Sequence, residues 1–293
     1  MRNILTGTGV CFLWLLIAPA IVFSDGLSGQ TLKGFRYPDY DNQGQLKMEI
    51  SGDKARFLPQ DLIQITNLRM TFYEEGKMIM HISTPLCFFD RIRRTAASTS
   101  EVCVTRAEII ITGRGFKWNE KDGFRINNNV RVILQKTDQK SYLGAEGTNA
   151  IPPAALEMDT NNTVITSTRL AFDQKKSTVV FDGRAVVNDP ALKIESDRLT
   201  VQLSNDKKVE SIEAEGNVVI TRGIIQAMAQ MALYTIAEGK ITLSGKPCII
   251  RQRDNLTAEN IVLWRNSNRI ICEPHAHSII YSDQNTQGQL KND

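Results

Sequence analysis

Few side chains in this sequence are of the types that carry out chemistry, and their spacing does not complete a site. The three histidines are His81, His275 and His277, and the last two lie close to Cys272. Imidazole and thiolate are ligands that zinc prefers, but no fourth ligand has a recognised spacing. A His-x-His pair on an extended strand places both rings on one face without any metal. We therefore assign no metal ligand and expect no cofactor.

The carboxylates also lack a catalytic arrangement. Asp197, Glu213, Glu215 and Glu259 fall at polar positions of predicted strands, where a solvated surface explains them. No G-x-S-x-G, H-E-x-x-H, phosphate-binding loop or dinucleotide fingerprint is present. We predict that the protein is not an enzyme and has no catalytic residues. Removing Cys272, His275 and His277 together would test for an exported enzyme with an unrecognised site.

Composition narrows the possible functions further. The chain has 293 residues, 42% hydrophobic and 23% charged, with a net charge of +3. A nucleic-acid-binding protein usually carries a concentrated basic face, so we expect no nucleic-acid partner. The length fits one large all-β body or two domains.

The N-terminus predicts export. Residues 1–24 contain one positive charge, an apolar run from Ile4 to Phe23 and the small-residue triplet Ala18-Pro19-Ala20. This is typical of a signal peptide, and the run is also long enough to remain as a membrane anchor. In both cases the rest of the chain leaves the cytoplasm.

A repeat organises the second half of the chain. Gly183, Gly216 and Gly245 follow similar sequences and are 33 and then 29 residues apart. A second motif starts at Ser196, Ala229 and Ala258 with the same two spacings. Two motifs that share one spacing pattern indicate stacked units of about thirty residues. The glycines are predicted at bends or bulges and are given no chemical role.

Each repeat unit alternates between apolar and polar residues. Leu199, Val201 and Leu203 alternate with Arg198, Thr200 and Gln202, which is the period of a strand with one apolar face. The fold class is therefore all-β, with hairpin following hairpin. Gly, Thr, Asn and Pro dominate 136–162. We predict a β module at 25–135, a linker at 136–162, β repeats at 163–282 and a disordered tail at 283–293.

Four cysteines remain in the exported part. Local pairing would join Cys87 to Cys103 and Cys248 to Cys272, in a compartment that permits disulfides. Alternatively, all four are small buried apolar residues that never pair.

The repeats resemble a known family. The stretch from Phe181-Asp182-Gly183 to Ile220, with Ser196-Asp197-Arg198-Leu199-Thr200-Val201 and Ala214-Glu215-Gly216-Asn217-Val218, is similar to the OstA-type repeat of periplasmic LptA proteins. The resemblance covers about Thr163 to Tyr281. The first half resembles LptC more loosely, through its apolar anchor, Ile50-Ser51-Gly52, Ile111-Thr112-Gly113 and Asn129-Val130-Arg131-Val132.

This resemblance implies a fold and a function. The fold would be two twisted antiparallel β-jelly-roll modules of the open-clam type. The function would be that of a periplasmic bridge component for lipopolysaccharide, in which an apolar trough shields the acyl chains of lipid A. The partners would be an inner-membrane ABC transporter, the outer-membrane lipopolysaccharide translocon and further copies of the chain joined end to end. An exported β-repeat scaffold or a polysaccharide-binding protein is the alternative.

On this interpretation the apolar positions of the repeat strands contact lipid. They are Leu199, Val201, Leu203, Ile212, Val218, Ile220, Ile241, Leu243, Ile261 and Leu263. Two arrangements stay open, because the same alternation would fill the core of a closed sandwich or line an open trough. Periodicity does not distinguish them.

Overall fold

The fold is built from antiparallel β-strands. A computed structural model describes residues 28–135, 162–206, 208–264 and 269–281. These ranges contain only strands, turns and loops, which confirms the predicted all-β class. The predicted N-terminal segment 1–24, nearly all of the linker 136–162 and the tail 283–293 lie outside them. Within the described ranges, no helix is long and apolar enough to cross a bilayer.

The strands fall into an N-terminal half, β1 to β7, and a C-terminal half, β8 to β19. The N-terminal half contains β1 (Thr31–Tyr40), β2 (Leu46–Phe57), β3 (Leu62–Glu74), β4 (Lys77–Asp90), β5 (Thr95–Arg106), β6 (Ile109–Asn119) and β7 (Gly123–Leu134). The C-terminal half begins with β8 (Thr163–Ser167), β9 (Arg169–Asp173), β10 (Thr178–Asp189), β11 (Leu192–Leu203), β12 (Val209–Arg222) and β13 (Ile225–Thr235). It ends with β14 (Lys240–Ser244), β15 (Cys248–Arg251), β16 (Asp254–Thr257), β17 (Asn260–Trp264), β18 (Ile270–Glu273) and β19 (His277–Ile279).

The long strands bend near their middle. In β12 the pairing with β13 shifts between Glu215 and Val218, where Gly216 and Asn217 have φ of 75° and 48°. A Cβ at Gly216 would lie 2.9 Å from the Cβ of Asp197, so this bulge requires glycine. The predicted role of the repeated glycines is confirmed.

The bends fold the sheet into two arms. The long strands contribute one half to each arm. The short strands β8, β15, β16 and β19 lie in the first arm, and β9, β14, β17 and β18 lie in the second. Residues paired across neighbouring strands project to the same face, so the apolar positions of both arms share one core between them.

One continuous sheet joins the two halves. Strand β7 pairs with β8 through Val132 and Ile165 in the first arm, and with β9 through Phe124 and Phe172 in the second. The two predicted modules therefore share both their sheet and their core cluster. Their division into separate modules stays a prediction.

Of the two alternatives for the cysteines, the structure favours the one without disulfides. All four described cysteines have free thiols. Cys87 is buried on the inner face of β4, whereas Cys103 lies on the outer face of β5 between the inward Val102 and Val104. Burial raises the pKa of Cys87 to about 12 and that of Cys103 to about 11.

The pair Cys248 and Cys272 is kept apart for a different reason. Cys248 is in β15 of the first arm, where its thiol donates to the amide oxygen of Asn255 at 3.0 Å. Cys272 is in β18 of the second arm and packs against the core. Closeness in sequence does not bring these cysteines together, because the chain crosses from one arm to the other between them.

Candidate functional site

All ten predicted lipid-contacting residues lie on the inner face of the C-terminal half. Val218 and Ile220 are in the first arm, and the other eight are in the second. Five are buried, namely Leu199, Val201, Val218, Leu243 and Ile261. Five are half-buried and pack against the same core, namely Leu203, Ile212, Ile220, Ile241 and Leu263.

Burial decreases with distance from the bend. We call the inner positions beside the bend the deep row and the next inner positions the mouth row. In the C-terminal half nearly all of the deep row is buried, and only Cys272 beside Ile261 is half-buried among the described residues paired along it. The buried members are Ala185, Ser196, Val218 and Ala229 in the first arm, and Leu170, Phe181, Leu199, Ala214, Ala232, Leu243 and Ile261 in the second. This row is packed core in the structure, as in a closed sandwich.

The mouth row of the C-terminal half is different. Most of its side chains are half-buried: Val187, Ile194, Ile220 and Ile249 in the first arm, and Phe172, Val179, Ile212, Tyr234, Ile241 and Leu263 in the second. Ile165, Ala227 and Val201 are buried, and Ile270 is 48% exposed. The apolar surface of this half therefore continues outward from the core to solvent.

The matching row of the N-terminal half is mostly buried, with Tyr37, Ile111 and Phe57 as its half-buried members. Its members with at most 7% exposure are Ile50, Met70, Ile82, Val104 and Val132 in the first arm, and Ile63, Phe89, Ala96, Trp118 and Phe124 in the second. Rings from opposite arms meet there, with Tyr37 centred 6.0 Å from Phe89 and Phe72 centred 5.9 Å from Trp118. This half is a closed sandwich.

Salt bridges also close the N-terminal half. Lys47 in the first arm binds Glu120 at the end of the second, with 2.6 Å between Nζ and Oε1. Arg94 in the second arm binds both Glu120 and Asp39, and Asp39 belongs to the first arm. We call these four residues the clasp. In the C-terminal half, by contrast, the salt bridges Arg169–Asp182 and Lys193–Glu195 each lie within one arm.

The clasp shifts the pKa of Glu120 and that of Arg94. Burial disfavours the charged form of Glu120, but hydrogen bonds from Lys47 and Arg94 outweigh it and lower the pKa of this carboxyl. Burial likewise opposes the charge on Arg94, but its bonds to Asp39 and Glu120 raise the pKa of the guanidinium. Glu120 and Arg94 are therefore charged near neutral pH.

Replacing Glu120 with glutamine should lower the free energy of unfolding by about 1 kcal/mol at pH 7 and low salt, after allowance for solvent screening. The folded-state pKa of Glu120 lies below its ordinary value of 4.5. Its contribution is therefore fully present above pH 4.5 and is lost as the pH falls through the folded-state pKa. Urea unfolding of the wild type and the variant at several pH values measures this difference.

Glu238→Gln is the matched control for the clasp. Glu238 is 3.7 Å from Lys240, and its side chain is 58% exposed, so its removal should leave stability unchanged. If the difference in the free energy of unfolding between wild type and Glu120→Gln did not decrease at low pH, the electrostatic role of the clasp would be contradicted.

The polar side chains considered for chemistry serve structural roles. Glu259 contacts His275 at the bend, with 2.7 Å between Oε1 and Nδ1. Asp197 accepts a hydrogen bond from the side chain of Asn217 at 2.8 Å, across the bulge. Burial lowers the pKa of His81, whose Nδ1 is 3.1 Å from Thr71 Oγ1.

The residues weighed as metal ligands are not brought together. Cys272 faces the core from the second arm, whereas His277 begins β19 in the first arm. Across the part of the chain that the structure describes, no group of three or more His, Cys, Asp or Glu side chains is placed to hold a metal.

The sequence missed most of the mouth row. The predicted set contains only one of its first-arm residues, Ile220. Val187 and Ile194 pair directly with each other and continue the same row, and Ile249 extends it beyond Ala227. Ile194 alternates with Lys193 and Glu195, so its signal was present in the sequence. Val187 follows Val186, and Ile249 lies between Cys248 and Ile250, so alternation alone does not assign the face of either residue.

Comparison with known proteins matches the C-terminal half to one family. Residues 164–269 match the family model of the LptA/(LptD N-terminal domain) LPS transport protein. This confirms the resemblance of the repeats to LptA. The matched stretch contains all ten predicted residues. The resemblance of the N-terminal half to LptC stays a prediction.

Among solved structures, one similar chain is LptH of Pseudomonas aeruginosa, described as the LptA homologous periplasmic component of the lipopolysaccharide transport device. The two are 15% identical over 41% of this chain and 95% of LptH, with a TM-score of 0.37. That score is too low to transfer geometry between them. No curated protein matches the sequence.

Proposed function

We propose that this chain is an exported component of lipopolysaccharide transport and that its C-terminal half holds acyl chains between the two arms. The observation that supports this most strongly is the mouth row. It is apolar and mostly half-buried in the stretch that matches the lipopolysaccharide-transport family, whereas the matching row of the N-terminal half is mostly buried. Each methylene of an acyl chain that moves from water onto this apolar surface would contribute about 0.8 kcal/mol of favourable binding free energy.

The proposed contacts fall on the mouth row rather than on the deep row. Ile220 and Ile249 in the first arm lie on either side of Ala227, and Ile212, Ile241 and Leu263 line the second. Acyl chains that enter from the mouth would meet these side chains without displacing the packed core. Many weak contacts share the binding energy, so single alanine variants should bind only slightly less well.

The unpaired edges of the sheet support a role as a bridge between other proteins. Among the described strands, β1 pairs only with β2 at one end, and β18 and β19 each have a single partner at the other. Unpaired edges are able to add strands from other chains. We propose that the ends join an inner-membrane transporter and the outer-membrane translocon, or further copies of the chain. The predicted signal or anchor supports a periplasmic location for this function.

Photo-crosslinking of the full chain to lipopolysaccharide tests the acyl-chain site. The probe is placed at Ile220, Ile241 and Leu263 in turn, and at Thr200 and Thr242 on the outer face as controls. We expect lipid adducts at the first three positions and none at the controls. Equal labelling inside and outside, or no labelling anywhere, would overturn the proposal and favour the scaffold or polysaccharide-binding alternative.

A further inference from the structure

Two arginines stand at the rim of the mouth in the C-terminal half. Arg222 ends β12 and pairs with Ile225, the first residue of β13, which in turn pairs with Arg251 at the end of β15. Paired residues share a face, so all three project inward, one position beyond Ile220 and Ile249. The two arginine Cα atoms are two strand spacings apart, which is about 10 Å.

The charge of these arginines is not neutralised within the described part of the chain. Both are exposed, and none of its salt bridges includes either of them. The carboxylate nearest in register is Asp254, opposite Arg251, and its Oδ1 accepts a hydrogen bond from the backbone N–H of Tyr281 at 3.0 Å. Arg222 has the apolar Leu192 as its neighbour on the other side, in the register of the β11–β12 pair.

The side chains around the two arginines indicate which class of ligand they would bind. Ile225 is 40% exposed between them, and Ile224 at the tip of the same hairpin is 60% exposed. Cations at the edge of an apolar surface fit an amphiphile whose negative charge lies next to its acyl chains. The planar guanidinium binds phosphate through two parallel hydrogen bonds, which makes phosphate the best-matched anion.

We propose that Arg222 and Arg251 bind the phosphate groups of a phosphorylated, multiply acylated glycolipid whose chains lie on the mouth row. This rests on the proposed function and adds to it a recognition site for the headgroup. Lipopolysaccharide has this chemistry, since its acylated sugars carry phosphates. The rim would fix how far the lipid enters and would keep its sugars outside the arms.

The test measures binding of the full chain to three synthetic lipid A molecules that carry two, one or no phosphate groups. We expect the wild type to prefer the doubly phosphorylated lipid over the phosphate-free lipid by roughly tenfold. The double variant Arg222→Gln/Arg251→Gln should lose this preference and bind all three lipids like the phosphate-free one. Arg222→Lys/Arg251→Lys keeps the charges and should retain most of the preference.

Arg184→Gln is the matched control, because Arg184 is an exposed arginine at the bend of β10, away from the mouth. It should bind each lipid within about twofold of the wild type. Equal wild-type binding of all three lipids would overturn the phosphate site and leave the acyl-chain site intact. An unchanged preference in the double glutamine variant would do the same. Failure of the wild type to bind any of them would overturn both proposals.

Discussion

Ile220→Asp is expected to weaken lipopolysaccharide binding by at least tenfold while the chain stays folded. Ile220 is a half-buried mouth-row residue, and its neighbours on the same face are Ile194 and Ala227. A carboxylate there reaches solvent when the arms are empty, so the cost to folding should be only about 1–2 kcal/mol. A bound acyl chain would cover it, and the desolvation of an unpaired charge would oppose binding. Titration of lipid into the wild type and the variant measures the effect.

Thr221→Asp places the same charge on the neighbouring residue, which projects to the outer face beside Lys193 and Gln226. It should leave binding unchanged. Equal losses in the two variants would show that the charge acts through general electrostatics. Unfolding of Ile220→Asp alone would mean that the mouth row is core and that the lipid site lies elsewhere.

Val201→Asp is a poor probe of lipid binding, although the alternation places Val201 on the same face as the other predicted lipid contacts. The structure buries Val201 to 8% exposure between Val179 and Ile212, although both neighbours are half-buried. A charge there would disturb the core as well as the proposed lipid surface. The alternation predicts which face a residue projects to but not how far it lies from the mouth, and the second property decides which substitutions separate binding from folding.

Local features of the fold follow well from the sequence. The apolar alternation changes phase at Asn67, with Ile63 and Ile65 before it and Leu68 and Met70 after it. In the structure Asn67 has a φ of 51° between the two halves of β3. The stretch from Ile224 to Ile236 comes nearest to the pattern of an amphipathic helix, but its register with the other repeats predicts mostly strand, and β13 confirms this. In both cases the deciding signal lies within a few residues, where periodicity and backbone preference act.

The difference between the two halves could not be predicted in the same way. The clasp joins Lys47 to Glu120 and Asp39 to Arg94, which are 73 and 55 residues apart. Nothing in the spacing of single charges identifies such pairs, because they form only when the two arms face each other. The sequence did not predict the rim site of Arg222 and Arg251 for a similar reason, because their shared face depends on the register of three strands. Closure of one half and the open mouth of the other are therefore tertiary properties.

The other large effect is expected at the junction of the two halves. Gly123 starts β7, pairs with Asp173 of β9 and has a φ of 104°, a conformation nearly restricted to glycine. A Cβ at this position would overlap the backbone carbonyl oxygen of Phe172, which is not free to rotate away as a side chain is. Gly123→Ala should therefore lower the free energy of unfolding by about 3 kcal/mol or more. Urea unfolding of the full chain measures the loss.

The matched control for this change is Gly44→Ala. Gly44 has a φ of 77°, and an added Cβ would meet nothing within 4 Å, so only backbone strain of about 1 kcal/mol should remain. The difference in the free energy of unfolding between the two variants measures the contribution of the contact between β7 and β9. Because β7 carries the sheet from one half to the other, Gly123→Ala should also allow the halves to unfold at different urea concentrations. A single transition at the same midpoint as Gly44→Ala would mean that the second-arm pairing adds little, and that β7 and β8 alone hold the closed half to the open one.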